Sequence, residues 1–307
     1  MTYDSSLISK NALVVEHLSK YFIGVEDNSR IKTISELENE IIAARGTIQN
    51  SMNLLKIAGA ITLKPRGHLG TFLISKDLSL LLRYANISFI VGVMPLPYSK
   101  LYEGLSTGLL HTMENKLNIP VNMAYMRGAS RRIEMMLNGR YDFAILSKFA
   151  ALDYLQHNDD IEIITEFEPG SFLNKHVVMF NTPDKQVIED GMRVGIDYDS
   201  IDQAALTLEV SKPLNVKLIE VSYNQLVEKL LNNEIDAAIW NDDELSRKTP
   251  SITTRDLELD NNYNTIAVIV IDKNRQDLKR LLITLINIDE VQLIQHQVVN
   301  NEIIPSY

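Results

Sequence analysis

Leu137-Asn138-Gly139-Arg140-Tyr141-Asp142-Phe143-Ala144-Ile145 recurs, 94 residues further along, as Leu231-Asn232-Asn233-Glu234-Ile235-Asp236-Ala237-Ala238-Ile239. An amphipathic stretch precedes each copy, Ile133-Glu134-Met135-Met136 in the first and Leu226-Val227-Glu228-Lys229-Leu230 in the second. The pattern predicts a helix ended by Gly or Asn in a left-handed turn, then an aspartate opening a small, apolar strand. The segments ahead match as well: Val194-Gly195-Ile196-Asp197 mirrors Val91-Gly92-Val93-Met94, and residues 216–221 mirror 121–126. Two equivalent halves, each alternating strand and helix, predict an α/β domain of two lobes.

Around the repeat, residues 87–94, 121–126 and 142–146 read as strands, and 101–117 and 131–138 as helices. A returning strand at 265–271 and a helix at 276–288 complete the first lobe. The expected division is lobe 1 at about 87–182 plus 262–307, and lobe 2 at about 183–261. Residues 76–86 form a connector, expected as a helix, to whatever precedes.

Residues 1–75 have a different grammar. Leu13, Val14, Leu18, Tyr21 and Phe22 fall at helical spacing, with Gly24 as a stop. Thr33 and Ser35 are positioned to cap a short helix through Ile41. A second amphipathic helix over 45–58 carries Ile48, Met52, Leu55 and Ile57 on one face, and Gly59 ends it. Two short helices joined by a tight turn form a helix-turn-helix outline. Residues 60–63 and 71–74, around the turn Lys64-Pro65-Arg66-Gly67-His68-Leu69-Gly70, read as a basic-tipped hairpin, the wing.

Ile31-Lys32-Thr33-Ile34-Ser35-Glu36-Leu37, Ala44-Arg45-Gly46-Thr47-Ile48-Gln49, Gly59-Ala60-Ile61 and Gly67-His68-Leu69-Gly70-Thr71-Phe72-Leu73 together resemble the GntR-type winged-helix domain over 31–73. Ala44 stands where that pattern has a serine cap, and Gln49 where it has an arginine. The resemblance implies DNA contacts by Arg45, Thr47 and Gln49 on the recognition helix and by Lys64, Arg66 and His68 on the wing. Glutamine can pair bidentately with adenine, so Gln49 in place of arginine implies a different base preference or weaker phosphate binding. The helix followed by Leu-x-Gly-x-x-Asp-x-Ala-Ile is similar to the type II periplasmic-binding-protein fold. The whole chain, including the run from Arg127 to Lys148, resembles the YhfZ-like family, which implies a regulator but supplies no ligand. The fold class expected is therefore α/β: a two-lobed type II periplasmic-binding-protein-like domain behind a small α+β winged helix-turn-helix.

Charge agrees with that division. The net charge of −10 over 307 residues is unevenly spread, with nine basic and eight acidic residues in the first 80 and a net of −11 in the rest. A near-neutral head on an acidic body suits a nucleic-acid-binding end. The absence of cysteine excludes disulfides, thiolate nucleophiles, iron–sulfur clusters and zinc sites with sulfur ligands. The N-terminal stretch lacks the apolar core of a signal peptide, and no window approaches about 18 apolar residues, so a cytoplasmic location without membrane contact is expected.

In open α/β sheets ligands bind beyond the carboxyl ends of strands. The effector-contact candidates on that rule are Met94, Tyr98, Arg127, Ser130, Ser147, Lys148, Asp197, Ser200, Tyr223 and Asn241. Ser130 and Ser200 are expected to start helices whose N–H groups hold an anion, with Arg127 and Lys148 adding charge. Asp197, Asp199, Asp242 and Asp243 would suit an ammonium group, so the effector expected is anionic or zwitterionic. No catalytic residue, metal site or cofactor is expected: the six histidines are scattered and no phosphate-binding loop or nucleophile elbow is present. The expected partners are double-stranded DNA, a small effector and a second copy of the chain, since one recognition helix reads too few bases for a unique site. The competing classes are a metabolite-processing enzyme on the same fold and a sensor that acts through a protein partner.

Overall fold

The computed structural model describes residues 10–116, 119–243, 252–257 and 261–307. Leu117, the last residue of an expected helix, and the first nine residues of the expected N-terminal domain lie outside them. The chain forms two compact units, one of residues up to 90 with 116–120 and 275–285, the other of 91–115, 121–274 and 286–307. No helix among the described residues is long and apolar enough to cross a membrane.

The first unit contains α1 (Lys10–Ile23), α2 (Ile34–Glu40), α3 (Arg45–Ile57), the antiparallel pair β1 (Ile61–Pro65) and β2 (Thr71–Lys76), and α4 (Leu78–Tyr84). Thr33 caps α2 through a reciprocal box: its hydroxyl accepts from Glu36 N, and the Glu36 carboxylate accepts from Thr33 N at 2.6 Å. Ala44 offers α3 no such bond. Leu18, Phe22, Leu37, Ile48 and Leu55 bury their side chains completely and make the core. Lys76 Nζ donates to Ile23 O and Val25 O at 2.7 and 2.6 Å, so the end of β2 satisfies carbonyls that α1 leaves open. The expected connector is built into this unit, because α4 packs on α1. So is the helix Gln276–Leu285 (α10), expected in lobe 1: Arg280 donates to Gly24 O at 3.0 Å.

The second unit holds two five-stranded sheets. The first has the order β4 (Val121–Tyr125), β3 (Ile90–Met94), β5 (Phe143–Ser147), β12 (Ala267–Asp272), β6 (Ile161–Glu166). The second runs β9 (Lys217–Glu220), β8 (Arg193–Ile196), β10 (Ala237–Asn241), β7 (His176–Phe180), β11 (Thr253–Asp256). Position by position the orders are equivalent: β3 and β5 are parallel as β8 and β10 are, and the fourth strand is antiparallel in both. The fourth strands are exchanged. β7 follows lobe 1 in the chain but pairs with β10, and β12 follows lobe 2 but pairs with β5. Residues 176–180, expected in lobe 1, therefore belong to lobe 2, because the β10 ladder captures them. The strands β6, β7 and β11 and the helix α11 (Ile288–Val299) carry no repeat signature, and nothing in the local pattern announces them.

The repeat has a physical basis. Gly139 and Asn233 both take left-handed backbone, at φ 70° and 56°, where their helices α6 (Ala129–Leu137) and α9 (Leu226–Leu231) stop. Asp142 Oδ2 accepts from Val91 N at 2.9 Å, and Asp236 Oδ2 accepts from Arg193 N at 2.8 Å. Each aspartate thus pins the start of the neighbouring parallel strand. Asp236 also holds the Arg193 guanidinium, and these bonds keep its carboxyl below the usual range. Asp236→Ala should destabilise the second unit by about 1–3 kcal/mol, since the Arg193 N–H loses its acceptor. Asp236→Asn should recover part of that, as denaturant melts of the three chains will reveal; equal stability of wild type and the alanine variant would refute the pinning role.

Candidate functional site

In the first unit, Arg45 and Gln49 are exposed on α3, and Thr47 is half-buried in its first turn. Lys64, Arg66 and His68 are exposed on the wing, whose tip is a single tight turn over Gly67–Leu69. The Arg66 guanidinium lies 4.2 Å above the Phe72 ring, which fixes the arginine's stem and leaves its donors outward. Gln49 and Lys56 share a groove with Pro65 and Thr71 of the wing. Helix and hairpin thus border one surface channel.

In the second unit a cleft opens between the two sheets. Its free volume of about 90 Å³ has room for a few waters or a small metabolite. Two helices begin at it, one per lobe: α6 with Gly128 at its cap, and α8 (Ile201–Ser211) with Ser200. Neither cap residue gives a side-chain bond, so the first-turn N–H groups of α6 are uncapped, whereas in the first turn of α8 the Asp202 carboxylate accepts its own backbone N–H.

Charges cross the cleft. Arg127, in front of α6, reaches Asp199 at 3.1 Å and Asp197 at 3.7 Å, and donates to Asn224 Oδ1 at 3.3 Å. Ser147 Oγ, which caps α7 (Lys148–Leu155) in lobe 1, donates to the Asp202 carboxylate of α8 at 2.8 Å. Burial pushes the Asp202 carboxyl up to about 6, against the pull of the Ser147 hydroxyl and of Arg132. Burial likewise brings the Arg132 guanidinium down to about 10 and His176 down to about 4, so His176 is a neutral imidazole at ordinary pH.

The ten effector candidates fall into separate groups. Tyr98, Arg127, Ser200, Tyr223 and Asn241 line the cleft. Tyr223 stacks on Trp240 at 4.0 Å, and its hydroxyl accepts from Asn241 N at 3.0 Å. Ser147 acts on the cleft through Asp202, and Asp197 borders a polar recess beside Arg127. Met94 is buried behind the lining. Ser130 lies inside α6, exposed and off the cleft, because the helix is capped two residues earlier at Gly128. Lys148 points elsewhere, to Glu166 at 2.6 Å and over the Tyr263 ring at 4.8 Å. Of the four carboxylates expected to hold an ammonium group, three are engaged from within: Asp197 accepts from Tyr223 N and Asp199 N, Asp199 from Arg127, and Asp243 from Asn174; Asp242 does not line the cleft.

Arg132, Asp202 and His176 line the cleft and were not among the candidates. Arg132 had a readable signal. It sits three residues after Ala129 and four before Met136, on the buried face of α6, where a cation is out of place. Asp202 and His176 gave none, since only the folded geometry brings them there.

Asp202 also makes a pH prediction. Its folded-state value lies above the ordinary 3.8, so between about 4 and 6 the folded chain binds a proton the unfolded chain lacks. The stability that Asp202 contributes is present at the acidic end and is lost as pH rises through 6. Melting curves of wild type and Asp202→Asn across pH 4–7 should diverge in that sense, the variant losing less on the alkaline side; parallel curves would refute it.

The family model for the YhfZ C-terminal domain matches residues 77–307, and one for a helix-turn-helix domain matches residues 28–73. The chain is 31% identical over 305 residues to the uncharacterized protein YhfZ of Escherichia coli (strain K12), and the match covers 98% of this chain and 99% of that protein. The crystal structure of YhfZ from Shigella flexneri superposes with a TM-score of 0.63 at 31% identity, over 75% of this chain and 97% of that one. PhnD1 from Prochlorococcus marinus, in complex with methylphosphonate, gives 0.53 at 10% identity over 69% and 89% of the two chains. The substrate-binding protein of a methionine transporter from Streptococcus pneumoniae gives 0.50 at 13% identity over 72% and 96%. With these last two the likeness is one of fold, the type II periplasmic-binding-protein fold.

Proposed function

Because this chain belongs to the YhfZ family, with a helix-turn-helix domain ahead of a two-lobed periplasmic-binding-protein fold, we propose that it is a cytoplasmic transcriptional regulator whose binding to operator DNA answers to a small anionic or zwitterionic metabolite. The head acts as a GntR-like winged helix. Arg45, Thr47 and Gln49 reach base edges in the major groove, while Lys64, Arg66 and His68 engage the backbone. The observation that carries this reading is that Gln49 shares one groove with the exposed Lys56 and with Pro65 and Thr71 of the wing, and that among the described residues the exposed Arg45 and Lys64 enter no ion pair. Phosphates are the counterions such a surface lacks.

The cleft supplies the response. A ligand seated among Tyr98, Arg127, Ser200, Tyr223 and Asn241 would favour one lobe arrangement over another, and a homodimer would convert that into altered half-site engagement. The coupling is reciprocal, so DNA must change effector affinity by the factor by which effector changes DNA affinity. Electrophoretic shift of the full chain on its own upstream DNA, at two salt concentrations against random competitor, tests the reading. Specific retention that weakens with salt is expected; retention no better than on random DNA, with and without cell metabolites, would overturn it.

A further inference from the structure

Arg132 is 4% exposed, and among the described residues no other arginine or lysine is buried. Its Nε donates to Ile145 O at 3.1 Å and one terminal nitrogen donates to Met126 O at 2.9 Å. Both acceptors are neutral carbonyls. The other terminal nitrogen has no partner among the described residues, and the residue lines the cleft. The carboxylate that acts on Arg132 from a distance, Asp202, shares the one Ser147 hydroxyl proton between its two oxygens and makes no hydrogen bond to Arg132 among the described residues. A guanidinium enclosed without a paired anion is costly to keep, and an anion delivered from outside removes that cost.

Other groups at the cleft agree in sign. The uncapped start of α6, with no acidic residue in its first turn, presents partial positive charge, while that of α8 is offset by Asp202. His176 is 3% exposed, and its Nδ1 contacts the Asn264 side-chain nitrogen at 2.8 Å. With Nδ1 accepting, the proton sits on Nε2, which has no partner among the described residues. The remaining lining is largely apolar, from Pro95, Leu96, Phe172 and Leu173. Asp202, the one aspartate among the lining residues, is held by Ser147, and nearby Asp197 is held by backbone N–H groups and Asp199 by Arg127 and Arg131.

We infer that the cleft takes a small organic anion without an ammonium group, its anionic head on Arg132 at the α6 start and its uncharged body against Leu96 and Phe172. This rests on the cleft being the effector site of the proposed regulator, and narrows that reading from anionic or zwitterionic to anionic alone. Arg127, already occupied by Asp199, does not anchor the ligand.

The test uses the full chain, with the fluorescence of its single tryptophan, Trp240 beside Tyr223, and its melting temperature as readouts at constant ionic strength. The probes share one skeleton: propionate, alanine and propionamide. Propionate should shift both readouts at tens of millimolar, with alanine and propionamide at least about tenfold weaker. Arg132→Gln should lose the propionate response by at least about tenfold. Since that variant also gives up bonds to two carbonyls, Asp202→Asn serves as the second, and removal of the competing carboxylate should tighten propionate several-fold. Silence toward propionate, equal binding of alanine, or unaltered affinity in a folded Arg132→Gln or in Asp202→Asn would each overturn the inference. Operator retention measured on the same preparations without any probe separates the failures: intact retention with a failed anion test sinks only the ligand class, and retention no better than on random DNA sinks the regulator.

Discussion

Arg45→Ala should lower affinity for the chain's operator by about ten- to a hundredfold, the loss that accompanies removal of one base- or phosphate-contacting arginine. Arg45 is exposed at the first position of α3 and makes no contact that the core of the first unit depends on, so the variant should melt with the wild type. Ala44 gives α3 no side-chain cap. The uncapped N–H groups beside Arg45 are therefore open to a DNA phosphate, and the arginine adds its charge at that point. Arg66→Ala is the informative comparison. If Arg66 meets the backbone, its loss should weaken specific and random DNA alike and flatten the salt dependence by about one unit of slope. Loss of Arg45 should fall more heavily on specific DNA. Unchanged operator affinity in Arg45→Ala would remove α3 from the interface.

Gly108→Val should cost upwards of about 3 kcal/mol of stability and roughly 10 °C of melting temperature. Gly108 lies on α5 (Lys100–Glu114), which packs along α11. A Cβ placed there would stand 2.7 Å from Val291 O and 3.0 Å from Val291 Cα. Gly104, one turn earlier, is as close to the Gln295 backbone, at 2.9 Å. The obstructing atoms are main chain on a packed helix, so relief requires moving α11 as a body, which also disturbs Gln295 where it ties Leu101 O and Ser171 O together. Gly46→Ala on α3 is the control: nothing lies within 4 Å of its Cβ, and a gain of up to about 1 kcal/mol is expected. A Gly108→Val chain as stable as wild type would mean that the two helices separate without cost.

Whatever short-range chemistry controls was legible in the amino-acid order alone. The Thr33 cap, the left-handed Gly139 and Asn233, and the strand-opening Asp142 and Asp236 act within a few residues or across one ladder, so their pattern exposes the helix-turn-helix and the doubled lobe. The family resemblance rests on the same local signs. Arg127, Ser200 and Tyr223 fall at one cleft because strand ends in such sheets converge on one edge. Ser130 lies off that cleft because a helix capped two residues earlier turns it outward, and Lys148 because Glu166, distant in sequence, holds its charge. Other features exist only once the chain has folded. His176 to Phe180 crosses to the second sheet, and until the ladder forms, β10 and the strands of the first lobe are equivalent partners for an apolar segment. The polarity of the cleft is of the same kind. Whether an aspartate is free for a ligand depends on which N–H or guanidinium reaches it, and whether Arg132 is a solvated charge or a buried anion site depends on what closes over it; both are sums over contacts that sequence spacing does not encode.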